Sequence, residues 1–166
     1  TPHGDVWIAT ASDGIVHATT QPSLFLNHVL SNYSRQSVDA VLSLTTNDGR
    51  LFWMGLRPYG LAYYDQQTGN TSYGSAIPGF GSLPPKVMGA KIAATLRRAN
   101  GELWFASASY GIIIRYPNGT TRLLNSDNTP FLRDNYVCTL FEDHRHRVWI
   151  GERSGLAVAV NARQGQ

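Results

Sequence analysis

Apolar residues recur along the chain in short alternating runs, and each run is followed by a turn rich in Asn, Asp or Gly. The runs AVLSLT (40–45), KIAATL (91–96) and VCTLFE (137–142) lead into the turns NDGR, ANGE and DHRH. A second run follows each turn, reading LFWMG, LWFAS or VWIGE. A period of two, interrupted by Asp-Gly and Asn-Gly pairs, predicts antiparallel strands joined by tight hairpins.

The Trp and Gly residues show that this pattern is a repeat. One Trp stands in each copy, at Trp7, Trp53, Trp104 and Trp149. A Gly follows six or seven residues later and starts the next run, at Gly14, Gly60, Gly111 and Gly155. A period of about 40–50 residues is typical of solenoids and propellers. The repeat therefore decides the fold class before any single element is considered.

Each copy supplies the strands of one propeller blade. The Gly-started runs GIVHA, GLAYY, GIIIR and GLAVAV give a third strand, and weaker segments near 24–30, 70–77 and 120–125 give a fourth. Four antiparallel strands in about 45 residues form a blade. We predict an all-β propeller segment of about four blades, whose end blades lack one strand each. The repeat units are about 1–37, 38–88, 89–134 and 135–166.

A single blade cannot bury both of its faces, so stacking must bury the Trp side chains between neighbouring blades. We therefore interpret the four Trp residues and the four Gly residues as blade-packing positions and not as a sugar-stacking platform. A first copy that begins directly at TPHG, inside the repeat, indicates a piece of a longer protein.

Composition narrows the function classes. The 166 residues are 42% hydrophobic and 15% charged, and the net charge is +3. The basic residues are spread along the chain, which argues against nucleic acid as a partner. Almost all of them are Arg, with Lys only at Lys86 and Lys91. Arg presents a rigid fork for carboxylate, sulfate or sugar edges, but it also serves as a solubilising residue on loops.

The residues that could carry metal, redox or membrane chemistry are few. Cys138 stands in the apolar run YVCTLF, and we interpret it as a buried structural thiol. His144 and His146 share a hairpin turn, where a solvated turn is the better interpretation than a metal site. No catalytic or phosphate-binding motif occurs, so we predict no cofactor and no metal. Nor does any apolar run reach the 18 or so residues of a membrane span.

The repeats resemble a known family. VCTLFEDHRHRVWIGERSGLAVAV (137–160) and HGDVWIATASDGIVHA (3–18) are similar to the two-component regulator propeller repeat. The second copy carries one extra residue before Trp53, and the third has Arg-Arg-Ala where the family often has Asp. The resemblance implies the periplasmic sensor region of a bacterial hybrid two-component receptor, in which propellers precede a β-sandwich, a membrane span and a histidine kinase. It implies sensing of an extracytoplasmic ligand, commonly an oligosaccharide, with no catalysis in this segment.

In propellers, the loops between second and third strands share one face with the connections between blades. We expect the ligand at that face, where aromatic rings and Arg forks suit a sugar. The candidate residues are Arg57, Tyr59, Tyr110, Arg153, Arg35 and Arg133, with Asp13, Glu152 and Asp134 beside them. The Gly- and Pro-rich insertion at 77–89 is predicted to be a loop that either contacts a neighbouring propeller or is idle.

Two other functions remain open at this point. NGELWFAS resembles the strands of streptogramin-lyase-like propellers, which would make the chain an enzyme. A propeller face could also serve as a scaffold that binds another protein. Unpaired edges at the end blades predict self-association, or a dimeric receptor. The membrane would be reached only through a span of the parent chain.

Overall fold

The computed structural model describes residues 6–10, 14–18, 25–28, 40–57 and 60–159, which form four antiparallel sheets. Blade 1 contains β1 (Val6–Ala9), β2 (Ile15–Ala18) and β3 (Phe25–His28). Blade 2 contains β4 (Ala40–Thr46), β5 (Leu51–Arg57), β6 (Gly60–Asp65) and β7 (Asn70–Tyr73). Blade 3 contains β8 (Ile92–Arg97), β9 (Leu103–Ser107), β10 (Gly111–Arg115) and β11 (Thr121–Leu124). Blade 4 contains β12 (Val137–Glu142), β13 (Val148–Glu152) and β14 (Gly155–Ala159).

Within the described ranges the blades therefore hold three, four, four and three strands, and the predicted all-β propeller segment is confirmed. The strands of each blade are hydrogen-bonded in chain order. The first strands of blades 2, 3 and 4 lie side by side, and the Trp strand of each blade packs on the first strand of the next. The sheets consequently stack face to face in the order in which the chain makes them.

Each sheet has two faces, which we name by the Trp strand. The Trp face carries the Trp side chain, and the back face carries the residues on either side of it in sequence. The Trp face of blade 1 packs on the back face of blade 2 through Trp7, Ile15, Phe52 and Met54. The Trp faces of blades 2 and 3 pack in the same way on the back faces of blades 3 and 4. Period-two alternation thus places one apolar set at each interface.

The insertion at 77–89 completes the interface between blades 2 and 3. It lies between a short 3-10 helix (Gly74–Ala76) and β8, and it contains the helix α1 (Pro85–Met88). Four of its side chains are no more than 2% exposed and join the apolar cluster of that interface, namely Ile77, Phe80, Val87 and Met88. It forms no strand, as predicted. It is also not an idle insertion, because its side chains supply the outer part of a core.

The Gly that starts the third strand of blades 2 and 3 is required for a steric reason. Gly60 and Gly111 adopt φ angles of +71° and +87°, in the left-handed region that glycine enters without strain. A Cβ at Gly60 would collide with the carbonyl oxygen of Met88, and one at Gly111 with the carbonyl oxygen of Leu124. The third strand can begin at this point only with a residue that has no side chain, because a carbonyl from a later segment of the chain lies directly over it.

A β-bulge occurs at the same place in the first strands of blades 2, 3 and 4. The pairing skips Leu42, Ala93 and Cys138, so each of these residues has no partner on the Trp strand. A bulge bends its strand and re-aims the extra side chain. Cys138 is exposed as a result. The interpretation of Cys138 as a buried structural thiol was therefore wrong.

Candidate ligand-binding rim

The loops between second and third strands meet the blade-to-blade connections on one rim, which we call the loop rim. The amide of Gly111 donates to the carbonyl of Asn135 at 2.8 Å, which ties the loop of blade 3 to the connection between blades 3 and 4. The amide of Arg153 donates to the carbonyl of Tyr136 at 3.0 Å, which ties in the loop of blade 4. Segment 133–136 therefore lies between the two loops.

A buried carboxylate holds this segment in place. Glu152 is 9% exposed at the end of β13, and its Oε1 accepts the amides of Arg133 at 3.0 Å and Asp134 at 3.5 Å. Asp134 in turn accepts the amide of Tyr136 at 2.8 Å. Charge-assisted bonds to backbone amides are stronger than neutral ones and fix the loop geometry. The role of Glu152 here is positional, because its described bonds run to the loop backbone.

Arg153 is the most prominent cation of the loop rim. Its side chain is 71% exposed, its Nε lies 3.4 Å from Oδ2 of Asp134, and its guanidinium lies 5.3 Å from the centroid of the Tyr136 ring. An Arg held over an aromatic ring keeps a planar donor edge toward solvent. Such an edge can bind a carboxylate, a sulfate or vicinal sugar hydroxyls.

Tyr110 flanks the other side of segment 133–136. Its ring is half-buried against the cluster between blades 2 and 3, and Nζ of Lys86 lies 5.9 Å from its centroid. Arg133 is exposed beside Glu152. The structure thus gathers three predicted residues, Tyr110, Arg133 and Arg153, around one connection.

Arg57, another predicted residue, does not join this group. Arg57 ends β5 in blade 2, opposite Ala40, and its side chain is exposed. Tyr59, Arg35 and Asp13 lie outside the described residues. The ligand site on the loop rim remains a prediction, with its strongest part at blades 3 and 4.

A cavity of about 430 Å³ opens beside β14 on the loop rim, lined by Phe131, Arg133, Glu152, Ser154 and residues 155–158. Its position has a counterpart in blade 3. There Gly111 is covered by the carbonyl of Leu124, whereas Gly155 has no atom within 4 Å of its missing Cβ. The cavity in blade 4 therefore occupies the position that corresponds, in blade 3, to the end of the fourth strand over Gly111.

The opposite rim, formed by the first hairpins, holds Trp–Arg–carboxylate triads. In blade 4, Oδ2 of Asp143 accepts both the indole N–H of Trp149 at 2.9 Å and Nε of Arg147 at 2.7 Å. The guanidinium of Arg147 lies 5.1 Å from the Trp149 centroid. Although burial raises the pKa of Asp143, hydrogen bonds from Trp149 and Arg147 hold that pKa well below its ordinary value.

Blade 3 forms the same triad, but its acidic and basic residues have exchanged positions in the hairpin. Arg98 stands at the position of Asp143, and Glu102 stands at that of Arg147. Oε2 of Glu102 accepts the indole N–H of Trp104 and Nη1 of Arg98, each at 2.9 Å, and the guanidinium lies 5.3 Å from the Trp104 centroid. The departure from the family pattern noted at Arg-Arg-Ala is thus compensated within the same hairpin.

Arg98 also joins blade 3 to blade 4. Its Nη2 donates to Oε1 of Glu142 at 3.3 Å and to the carbonyl of His146 at 3.0 Å. Arg98 is 4% exposed. The interpretation of the Arg residues as loop solubilisers is wrong for this one, and no composition signal could have shown that its partner comes from the next repeat.

Blade 2 keeps the ring and the cation of the triad but not the carboxylate. The guanidinium of Arg115, from β10 of the next blade, lies 5.2 Å from the Trp53 centroid. Leu51 and Asn47 occupy the positions of Glu102 and Asp143 relative to the Trp. Within the described residues, Nε1 of Trp53 and Nε of Arg115 are both buried without a hydrogen-bond partner.

A second cavity, of about 570 Å³, adjoins Arg115. Its wall consists of the insertion and the turn between β10 and β11, at Pro78, Gly79, Ser82, Arg115, Asn118, Gly119, Thr120 and Thr121. The hydroxyl of Thr121 donates to the carbonyl of Gly79 at 3.3 Å, which holds the two walls together.

Other site classes receive no support in the part of the chain that the structure describes. No group of three or more His, Cys, Asp and Glu residues there could hold a metal ion. His144 and His146 lie in the exposed hairpin turn of blade 4. Among the same residues, no helix is long and apolar enough to cross a membrane.

Comparison with known proteins shows likeness in structure only. No family model and no curated protein matches the sequence. The extracellular domain of the putative hybrid two-component system BT3049 from B. thetaiotaomicron is similar with a TM-score of 0.72 and 21% identity, over 98% of this chain and 21% of that one. That of BT4673 gives 0.70 and 22%, over 95% and 20%. PorZ, a surface component of the type-IX secretion system of Porphyromonas gingivalis, gives 0.64 and 17%.

The chain therefore spans about a fifth of the length of these two sensor domains. At this identity the likeness establishes the fold. The propeller repeat recognised in the sequence agrees with these neighbours at that level.

Proposed function

We propose that this chain is the ligand-sensing propeller segment of an extracytoplasmic, periplasmic sensor in a two-component receptor. The observation that carries the proposal is the fold likeness, since both sensor-domain neighbours are extracellular domains of putative hybrid two-component systems. The segment itself would carry out no catalysis, and the parent chain would hold the histidine kinase.

The proposed ligand is an oligosaccharide that contacts the loop rim at blades 3 and 4. Arg153 over Tyr136 offers a planar donor edge beside an aromatic ring, and Tyr110 and Arg133 flank the same connection. Stacking on rings combined with fork-shaped donors is the chemistry that sugar recognition uses. The buried bonds of Glu152 hold these groups in position before a ligand arrives.

Thermal-shift measurements test the proposal with a panel of neutral and acidic oligosaccharides. A ligand that binds only the folded state adds about 2.7 kcal/mol of stability at a concentration of 100 times its Kd. We expect one member of the panel to raise the melting temperature, and Arg153→Ala to remove most of the rise. Arg145→Ala, an exposed Arg on the opposite rim, is the matched control and should keep the full rise.

Two results would contradict the proposal. One is an unchanged melting temperature with every glycan. The other is a rise that Arg153→Ala and Arg133→Ala both leave intact, which would move binding away from the loop rim.

A further inference from the structure

We propose that the insertion at 77–89 is part of the ligand face, and that Lys86 makes the loop rim selective for acidic oligosaccharides. The inference rests on the proposed function, because it concerns the ligand of the same rim. Lys86 is the one charged residue of the insertion and lies in the helix α1. The insertion would then serve the ligand site as well as the core.

The insertion ends on the loop rim. The carbonyl oxygen of Met88 lies directly over Gly60, where the third strand of blade 2 begins. The amide of Ala108, in the second-to-third loop of blade 3, donates to the carbonyl of Lys91 at 2.9 Å. The connection between blades 2 and 3 therefore lies on one side of the blade 3 loop, and segment 133–136 lies on the other.

The loop of blade 3 stands between two pairs of a cation and an aromatic ring. On one side, Nζ of Lys86 lies 5.9 Å from the centroid of the Tyr110 ring. On the other side, the guanidinium of Arg153 lies 5.3 Å from the centroid of the Tyr136 ring. A backbone bond of 2.8 Å joins the residue after Tyr110 to the residue before Tyr136. The backbone therefore couples the positions of the two pairs.

The cation of the insertion is held in place although its side chain is exposed. The two residues that follow Lys86, Val87 and Met88, are no more than 2% exposed and anchor α1 in the interface between blades 2 and 3. The ring of Tyr110 packs against the same cluster. Because the helix and the ring are both fixed, the ammonium is presented to solvent from a defined place.

The charges around the blade 3 loop favour a negatively charged ligand. Among the residues that the structure describes, neither Lys86 nor Arg133 forms an ion pair. The carboxylates that contact segment 133–136 are engaged, because Glu152 accepts two backbone amides and Asp134 lies 3.4 Å from Arg153. An acidic group would find unpaired cations on both sides of the loop, whereas a neutral sugar would gain only uncharged hydrogen bonds.

The chemistry that these cations recognise is an oligosaccharide that carries a carboxylate or a sulfate. A uronic acid supplies the first group, and an ester sulfate supplies the second. Lys presents a compact point charge that accepts either anion, whereas the neighbouring Arg forks bind a planar carboxylate with two parallel bonds. The two sources are therefore separate arms of the test.

Isothermal titration calorimetry on the whole chain tests the inference with matched saccharide pairs. Trigalacturonic acid is compared with its methyl ester, and a sulfated carrageenan tetrasaccharide is compared with its desulfated form. We expect the acidic member of at least one pair to bind about tenfold or more tightly than its neutral partner, as expected for a bond to a charged group. The pair that shows the difference tells a carboxylate ligand from a sulfate ligand.

Lys86→Gln should lower the affinity for the acidic member about tenfold and leave the affinity for the neutral member unchanged. Added salt should narrow the difference between the two members, because it screens exposed charges. Arg145→Gln, at an exposed residue of the opposite rim, is the matched control and should keep the full preference.

The possible failures are distinguishable. A glycan that Arg153→Ala releases, but that Lys86→Gln binds as tightly as the unmodified chain does, would overturn this inference and leave the sensing role intact. Neutral members that bind as tightly as the acidic ones would have the same meaning. Failure of every saccharide to bind would overturn the proposed function, and this inference with it.

Discussion

Two neighbouring interfaces, between blades 2 and 3 and between blades 3 and 4, both pack a Trp face on a back face. They differ in the contacts at their edges. Between blades 2 and 3 the outer part is filled by the insertion, and the ring of Trp53 lies within 6 Å of three other aromatic rings, those of Tyr63, Phe80 and Phe105. Between blades 3 and 4 the first hairpins are joined by the buried side chain of Arg98, which forms ion pairs with Glu102 of blade 3 and Glu142 of blade 4.

This difference separates the features that every copy of the repeat needs from those that vary between copies. Both interfaces keep the Trp strand, the register and the bulge. What varies is the edge of the interface. Water is excluded there by the apolar side chains of the insertion in one case and by the ion pairs of Arg98 in the other. Among the residues that the structure describes, the apolar interface gives the Trp53 indole N–H no acceptor, whereas the charged interface gives one to the Trp104 indole N–H.

Phe80→Ala should lower the free energy of unfolding more than any other variant considered below, because it removes a fully buried ring from the interface between blades 2 and 3. Truncation of a buried Phe costs about 3–5 kcal/mol. Chemical denaturation should show this loss. Phe141→Ala, at a ring that is 62% exposed, is the matched control and should change stability little. Equal losses in the two variants would mean that the insertion contributes nothing to the interface.

Arg98→Met tests the charged interface and should come next in magnitude. Removal of one partner of a buried ion pair costs about 3–5 kcal/mol, because the remaining charge stays buried and unpaired. Adding Glu102→Leu should recover part of the loss in denaturant titrations. Arg97→Met, at the exposed neighbour, should be nearly neutral. A double variant that is no more stable than Arg98→Met would show that Glu142 dominates the pairing.

Asp143→Asn should have a smaller effect that depends on pH. The folded-state pKa of Asp143 lies below its ordinary value of 3.8, so its contribution is present above about pH 4 and is lost as the pH falls below that value. The unmodified chain should therefore lose melting temperature in acid more steeply than the variant. Parallel melting curves for the two proteins from neutral pH to pH 2 would contradict this assignment.

Asp65→Asn should have the smallest effect. Arg50, which is half-exposed, donates to both carboxylate oxygens at 3.0 and 2.9 Å, and this bond is the main reason that the pKa of Asp65 falls to about 2. Exposed pairs of this kind contribute little to stability. Any loss should appear in melting experiments above about pH 4 and vanish near pH 2, and it should shrink in high salt. A loss that salt does not reduce would indicate a packing role.

The repeat made the fold predictable, because Trp, Gly and hairpin signals act within one copy. The strand count and the stacking followed from that periodicity. What the sequence did not reveal depends on contacts between copies. Arg98 reaches Glu142 from another repeat, and the bulge at Cys138 reverses the side on which alternation alone places the thiol.

The candidate sites were predictable to different degrees. The loop rim could be located from blade topology, and Tyr110, Arg133 and Arg153 do share it. The cavity at Arg115 could not, because one of its walls is the insertion and the other is the turn between β10 and β11. The incomplete triad at Trp53 does have a signal in the sequence, because Leu51 and Asn47 stand where the other two hairpins carry Glu102 and Asp143.

The insertion also has a consequence for the order in which the chain folds. In a repeat protein each unit is coupled only to its neighbours, and folding can start at any pair. The insertion adds four buried side chains to the coupling of blades 2 and 3, and we expect this pair to be joined more strongly than either blade is to its outer neighbour. Blades 2 and 3 would then be the nucleus from which order spreads in both directions. The amides of β6 and β9 would accordingly be the last to exchange with solvent deuterium.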